Sequence, residues 1–400
     1  MNYLFIVIPI LSGIFLGIIT GLIPGIHINL VASIIVAYSQ YILKLLDSTT
    51  IILTITSMAI THTVLDIIPS TVLGIPNAEN LTMLLPAHKL TIEGKAKLAI
   101  IYGLLGSALG IITTTALIPL IIKLIPYTYE RIKDYIGYIL IAVSIYIILN
   151  CKNKVLSAIF FITTGIIGIL SFNIKNIDQP LLPLLSGTFG LSSLILSIKN
   201  KICIPEQKEV SLEISKREAI KHSISTTIAS LLTNFLPGLT SSYTSIISNK
   251  ISKLKDQNHH IIISNACNSS STIISFIAFY TLQKTRSGAV AAIQYLINSI
   301  NLSTLILIIS ISLITLAISV TIAVKISNKI IKIINKINYK IINICIILLI
   351  IIIVLIITKI SGMIILITTT ALGILAEIYN IEKISLTGCL VFPVILYYLI

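Results

Sequence analysis

The chain has 400 residues, 56% of them hydrophobic and only 10% charged, with a mean hydropathy of +1.04 and a formal net charge of +14. A chain this apolar does not fold as a water-soluble globule, and the composition points to an all-α polytopic protein of the cell membrane. The positive charge does not mark a nucleic-acid-binding protein, because the Lys and Arg residues lie in short loops between apolar runs and read as topology signals.

Apolar runs long enough to cross a hydrocarbon layer of about 30 Å, which takes roughly 20 residues, recur along the whole chain. The first, 3–23, has no basic n-region and no small-residue cleavage site, so it reads as a retained helix and not a signal peptide. It continues into GLIPGIHINL at 21–30, where Pro24 and Gly25 interrupt the hydrophobic pattern and His27 and Asn29 follow.

The next segment, TITSMAITHTVLDIIPSTVLGIP, carries His62, Asp66 and Ser70 at intervals of four, which places them on one helix face. A carboxylate inside such a segment costs several kcal/mol unless it is paired, protonated or hydrated, and residues of this kind usually mark a path for an ion, a proton or a substrate. His62 and Asp66 can hold a proton or orient a solute; alternatively they form a buried pair that locks two helices. Pro69 lacks an N–H and frees backbone groups in the same helix. The loop GIPNAENLTMLLPAHKLTIEGKAK at 74–97 is broken by Pro76, Pro86 and Gly94 and reads as a gate or cavity-lining loop, or else as a solvated connector.

Further apolar runs follow at 98–125, 136–150 and 155–172. The strongly basic stretch KNKICIPEQKEVSLEISKREAIKH at 199–222 then divides the chain into halves, and the positive-inside rule places it in the cytoplasm. Between Lys221 and Lys250, Pro237 and Gly238 cut the chain into pieces of 223–236 and 239–249, each too short to span, with basic residues at both outer ends. This pattern predicts a re-entrant helical hairpin with the Pro-Gly pair at its tip. Backbone groups freed at such a break are tolerated at membrane depth only where protein or a water-filled cavity supplies partners. Asn234, Ser241 and Ser242 flank the break and are candidates for coordinating an ion or anion, alongside the bland alternative of helix packing.

Beyond it come runs at 303–324, 341–358 and 361–376, with Lys325, Lys329, Lys332 and Lys336 at helical spacing between the first two, which predicts a short interfacial helix with a lysine face toward anionic lipid. In all, about 10 to 12 hydrophobic helical segments are expected. Cys151, Cys203, Cys267, Cys345 and Cys389 are scattered and match no disulfide or zinc spacing. No P-loop, nucleophile elbow or HExxH motif occurs, so neither a cofactor, a metal nor an enzymatic activity is expected.

Aligning Pro24-Gly25 with Pro237-Gly238 pairs GLIPGIHINLVASII with NFLPGLTSSYTSIIS, and downstream sets His62 against Ser264, Asp66 against Asn268 and Ser70 against Thr272. Two structural repeats are therefore expected, at 1–150 and 205–360, with connecting spans and the basic loop at 151–204 and C-terminal spans at 361–400. Duplicated units with broken helices meeting near the midplane are the architecture of secondary transporters, and an inverted relation is the favoured one.

The elements GLIPGIHINL, THTVLDIIPSTVLGIPNAENLTMLLPAHKLTIEGKAKLA, NFLPGLTSS and NACNSSSTIISFIAFYTLQKTRSGA, in this order, resemble the TctA family, the large membrane subunit of tripartite tricarboxylate transporters, and especially its shorter prokaryotic relatives. The resemblance implies a permease for a small organic anion of the tri- or dicarboxylate kind, with a small membrane subunit and an extracytoplasmic binding protein as partners. Coupling to H+ or Na+, through His62 and Asp66, and a solute site at the two Pro-Gly tips complete the expectation. The alternative is a translocator, or flippase, of a lipid-linked phosphate, with the head group at the same tips.

Overall fold

The computed structural model describes residues 4–23, 28, 31, 34–35, 44, 46–74, 84–175, 177, 179–199, 205–208, 211–253, 256, 258–285, 287–333 and 339–400. Helices are the sole regular elements among them: α1 (Leu4–Leu22), α2 (Ser48–Leu65), α3 (Ile67–Leu73), α4 (Leu84–Ile92), α5 (Ala96–Ala116), α6 (Ile118–Ile132), α7 (Ile136–Asn150) and α8 (Lys154–Asn173) form the first part. Then come α9 (Leu181–Leu185), a wide π-helical turn (Ser186–Leu191), α10 (Ser192–Lys199), α11 (Lys216–Thr233), α12 (Ser241–Ser252), α13 (His259–Leu282), α14 (Gly288–Ile297), α15 (Leu302–Ile333), α16 (Tyr339–Ile378) and α17 (Gly388–Leu399). Among the described residues, eight helical stretches are long and apolar enough to cross a membrane, and three shorter apolar helices accompany them. The protein is thus an all-helical, multi-pass membrane protein.

Two boundaries differ from the hydropathy reading. The run 98–125 is divided at Leu117, because Pro119, without an N–H, begins a new helix there. The lysine-bearing stretch after 324 is no separate interfacial helix at its start: α15 runs unbroken to Ile333 and carries Lys325, Lys329 and Lys332 exposed on its last turns. The runs 341–358 and 361–376 are the two arms of α16. Lys359 leaves the helical region (φ 56°, ψ −156°) and the chain folds back on itself. Both arms lie on the segment 181–199. Near one end of it Asn343 donates to the Ser197 hydroxyl at 2.6 Å, and one turn away the Ser193 hydroxyl donates to Glu377 at 2.7 Å.

In lipid the helices have no hydrophobic drive to associate, so small residues that admit close backbone approach decide the contacts. Gly13, Gly17 and Gly21 of α1 lie at four-residue spacing against α2, and a Cβ at Gly13 would stand 2.3 Å from the Thr54 carbonyl oxygen. The contacts advance together, 13 to 54, 17 to 58 and 21 to 62, so the two helices run parallel. In the same way Gly106 and Gly110 of α5 lie against Ile262 and Ala266 of α13, again parallel. By contrast α5 is antiparallel to α2, since Gly103 meets Ile67 while the Ser107 hydroxyl donates to the Thr63 carbonyl at 3.4 Å. It follows that α2 and α13 point in opposite directions. Hydroxyl pairs tie α2 to α15: Thr61 with Ser319 at 2.9 Å, and Thr315 donating to Ser57 at 3.2 Å.

The segment after the basic loop forms a helical hairpin. A capping box starts α11: the Glu218 N–H donates to the Ser215 hydroxyl oxygen at 3.2 Å and the Ser215 N–H to the Glu218 carboxylate at 3.1 Å. The Ser215 hydroxyl also holds the Glu218 carboxyl below its usual range. The α11 and α12 arms are zipped by hydroxyls, Ser225 with Ser248 at 3.0 Å near the base and Thr233 with Thr244 at 2.7 Å near the tip. Neighbouring polar pairs of this kind satisfy groups that apolar surroundings would leave unpaired.

The α5–α13 contact gives a direct test of this packing. A Cβ at Gly106 would lie 2.2 Å from the Ile262 carbonyl oxygen. Gly106→Val is expected to destabilise the protein by about 1–3 kcal/mol through overpacking. Thermal unfolding in detergent measures it, and an unaltered melting curve contradicts the close approach.

Candidate functional site

The tip of the hairpin is where the second Pro-Gly pair falls. Pro237 supplies no N–H to continue α11, and Gly238 adopts φ +86°, a conformation that costs glycine little and other residues more. Space favours the same choice, since a Cβ there would press to 3.1 Å from the Leu390 carbonyl oxygen of α17. From this turn the chain enters α12 at Ser241.

A cavity of about 440 Å³ lies against the tip. Asn234, Pro237, Gly238, Thr240, Ser241 and Thr244 form one wall. The second half of α13 forms the facing wall with Asn268, Ser271, Thr272 and Ser275, followed by Lys284, Thr285 and Ser287 of the turn after it. Tyr129 of α6 and Tyr398 of α17 add phenols, and Leu181, Leu185 and Leu390 add apolar surface. Its volume is in the range of small-molecule sites. The lining holds amides and hydroxyls, one cation in Lys284, and no carboxylate among the described residues. The Thr240 hydroxyl is enclosed with no hydrogen-bond partner among the described residues.

Lys284 donates to the Tyr129 hydroxyl, and its ammonium lies 4.5 Å from the centre of the Tyr129 ring. The hydrogen bond with Tyr129 raises the lysine's proton affinity above its ordinary value, so the ammonium stays charged. The Tyr129 ring in turn packs on Phe235 of the tip, with centroids 6.4 Å apart.

Behind the α13 wall lies Asp66, at the junction of α2 and α3 and 6% exposed. Its N–H still donates to the His62 carbonyl at 3.0 Å, whereas Pro69, having no N–H, cannot bond the Leu65 carbonyl. The Asn268 amide donates to the Asp66 carboxylate at 3.2 Å. Asn268 therefore belongs to the cavity wall and to the environment of Asp66 at once. His62 and Ser70 are buried one turn to either side of Asp66.

Of the residues singled out in the sequence, Asn234, Pro237, Gly238, Ser241 and Asn268 line one cavity, and Asp66 adjoins it through Asn268. Ser242 is buried beside the tip without lining the cavity. Pro24, Gly25, His27 and Asn29 lie outside the described residues. The described part of the loop 74–97 contributes nothing to the cavity: Glu93 pairs at the surface with Lys89 and Lys95, at 3.9 and 3.7 Å, and Gly94 accepts a hydrogen bond from the Lys208 N–H at 2.7 Å. His88 packs inward, its Nδ1 3.2 Å from the Thr71 carbonyl oxygen. Lys284 and Tyr129 escaped the sequence reading. Lys284 stands in the polar run QKTRSG just past an apolar segment, and only the fold turns that run back over the tip.

A bundle that crosses the membrane many times and encloses a cavity beside a broken helix is an architecture found among membrane transport proteins. The chain belongs to the tripartite tricarboxylate transporter TctA family, whose model matches residues 7–388. It is also similar to an uncharacterized protein of Methanocaldococcus jannaschii, with 30% identity over 409 aligned positions that cover 100% of this chain and 99% of that protein. No solved structure matches it significantly.

Removing the amide that reaches Asp66 tests the pairing. Asn268→Ala is expected to cost about 1–3 kcal/mol, because a buried carboxylate loses a donor. A double-mutant cycle with Asp66→Asn, read by thermal unfolding, should give a coupling of about 0.5–3 kcal/mol. Strict additivity of the two substitutions means that the contact carries no energy.

Proposed function

We propose that this chain is a secondary-type permease for a small organic anion of the tri- or dicarboxylate class, with the solute bound in the cavity at Pro237-Gly238 and Asp66 serving a coupling H+ or Na+. The observation that carries this reading is the lining of that cavity. Among the described residues, amides and hydroxyls with one lysine and no carboxylate favour an anion over a cation. Asp66 suits the coupling role because a buried carboxylate beside, but not inside, the solute cavity can change its charge state or hold a cation without repelling the anion. Asn268 links the two.

Two inverted units, about 1–150 and 205–360, give this site its place. In support, α2 and α13 run in opposite directions, and the hydrogen-bonded Asp66 and Asn268 are the positions that align when the two halves are superposed in sequence. Contact between equivalent positions is expected close to a two-fold axis in the membrane plane. The hairpin 216–252 is then a re-entrant element with its base, beside the basic loop, in the cytoplasm. The cavity, at the far half of α13, lies toward the extracytoplasmic side. His62, Ser70, Ser242 and the first break, Pro24, Gly25, His27 and Asn29, complete the proposed site.

The TctA family works in tripartite transporters, so a small membrane subunit and an extracytoplasmic binding protein are the proposed partners. Family membership lends no support to the lipid-linked phosphate reading.

The test is uptake of labelled citrate and succinate into proteoliposomes under an imposed proton or sodium gradient, with Asp66→Asn in parallel. Gradient-driven uptake by the unaltered chain, reduced at least about tenfold in the variant, is the expected result. Equal uptake by both removes Asp66 from the coupling role. No uptake of either solute under either gradient, with or without the partner subunits, overturns the anion reading.

A further inference from the structure

We infer that Lys284 is the residue that recognises the charge of the transported anion, and that Tyr129 holds it over the cavity and ties it to the hairpin tip. The inference rests on the anion reading above and assigns its specificity to one side chain.

Lys284 is the sole charged group among the described residues of the lining, and no carboxylate pairs with it among the described residues. Lys284 is solvent-exposed at the rim of the cavity, so its charge is accessible to an incoming solute. Here the ammonium lies against a phenol, as donor to its hydroxyl and near its ring. A phenol orients the ammonium without neutralising it. The ammonium has three donors, so a bond to Tyr129 leaves two for a ligand. Lys133 adds to the positive potential around Lys284, and is itself offset by Glu130 at 2.7 Å.

The facing wall fits the same ligand. The enclosed Thr240 hydroxyl, without a partner among the described residues, and the Asn234 amide can each donate to a carboxylate oxygen. One end of a small anion would thus meet neutral donors at the tip and the other a full positive charge. Neutral hydroxyls and amides accept as readily as they donate, so they discriminate poorly between an anion and a neutral polar solute; the lysine supplies that discrimination.

Tyr129 gives the lysine a second property. Its ring rests on Phe235, one residue beyond the start of the hairpin tip. A displacement of the tip would therefore carry Tyr129, and the anchorage of Lys284, with it. The tilted Tyr129–Phe235 ring contact thus joins the proposed recognition site to the broken helix.

Equilibrium binding and proteoliposome uptake of labelled citrate, succinate and acetate by the full-length chain test the assignment, with Lys284→Gln, Lys284→Arg and Tyr129→Phe compared with the unaltered protein. Lys284→Gln is expected to raise Kd and KM for citrate and succinate at least about tenfold and to flatten their dependence on salt, with a smaller change in maximal rate. Lys284→Arg should stay within about threefold, since it keeps the charge. Tyr129→Phe keeps the lysine and should shift KM less than Lys284→Gln. If Lys284→Gln binds and carries the anions as the unaltered chain does, or if Tyr129→Phe reproduces its full effect, the lysine is a structural clasp and the inference fails while the anion reading stands. If the unaltered chain neither binds nor carries any of the three solutes, the anion reading fails and this assignment with it. Size-exclusion profiles of the variants separate a loss of folding from a loss of binding, and Lys284→Arg serves as the folded control.

Discussion

A helix that stops inside a hydrocarbon layer leaves N–H and C=O groups that no lipid can satisfy, and each such group costs several kcal/mol. On the re-entrant placement proposed above, that constraint bears directly on the break at the centre of this protein. The break at Pro237 and Gly238 is enclosed by α13 on one side and α17 on the other, with Gly238 packed closely against the Leu390 carbonyl. Hydroxyls zip the two arms of the hairpin, from Ser225 and Ser248 up to Thr233 and Thr244, so the chain carries its own polar environment to the break. The cavity is what remains where protein does not fill the space beside the tip.

Around this centre the packing is set by small residues. The glycines of α1 and α5 bring whole helices to backbone contact with α2 and α13, and the hydroxyl pairs between α2 and α15 work at the same close range. In water such contacts would add little, but between lipid-facing helices they are the main source of specificity. They also determine direction. The register of Gly106 with Ile262, and of Ser107 with Thr63, makes α2 and α13 opposed, which brings Asp66 and Asn268 to hydrogen-bonding distance.

Charge is placed with economy. A carboxylate and an ammonium both serve the central region, yet they lie on different sides of the α13 wall, Asp66 behind Asn268 and Lys284 over the cavity. Were the carboxylate in the cavity, the two would neutralise one another and the anion preference proposed above would be lost. Asn268 meets Asp66 near the middle of α13, whereas Lys284 lies just beyond its C-terminal end, so the lysine's charge is not cancelled by the carboxylate.

Much of this was legible in the sequence, and for definite reasons. Composition and apolar run length depend only on the cost of moving residues from water to hydrocarbon, so the multi-pass helical character, the placing of Asp66 within an apolar segment and the break at Pro237-Gly238 needed no coordinates. The ordered motifs pointed to the TctA family, which the match over 7–388 established. The end of the helix at Leu117, the continuation of α15 into the lysine-bearing stretch and the fold-back at Lys359 were local matters that hydropathy averages over. The gathering of Asn234, Ser241, Asn268, Lys284 and Tyr129 around one cavity is different in kind. Those residues come from three separate stretches of chain, and nothing in the spacing of one records its distance from another. Sequence by itself determined which residues are too polar to face lipid. Only the tertiary structure decided which of them face each other, because that follows from the register in which glycine-lined helices come into contact.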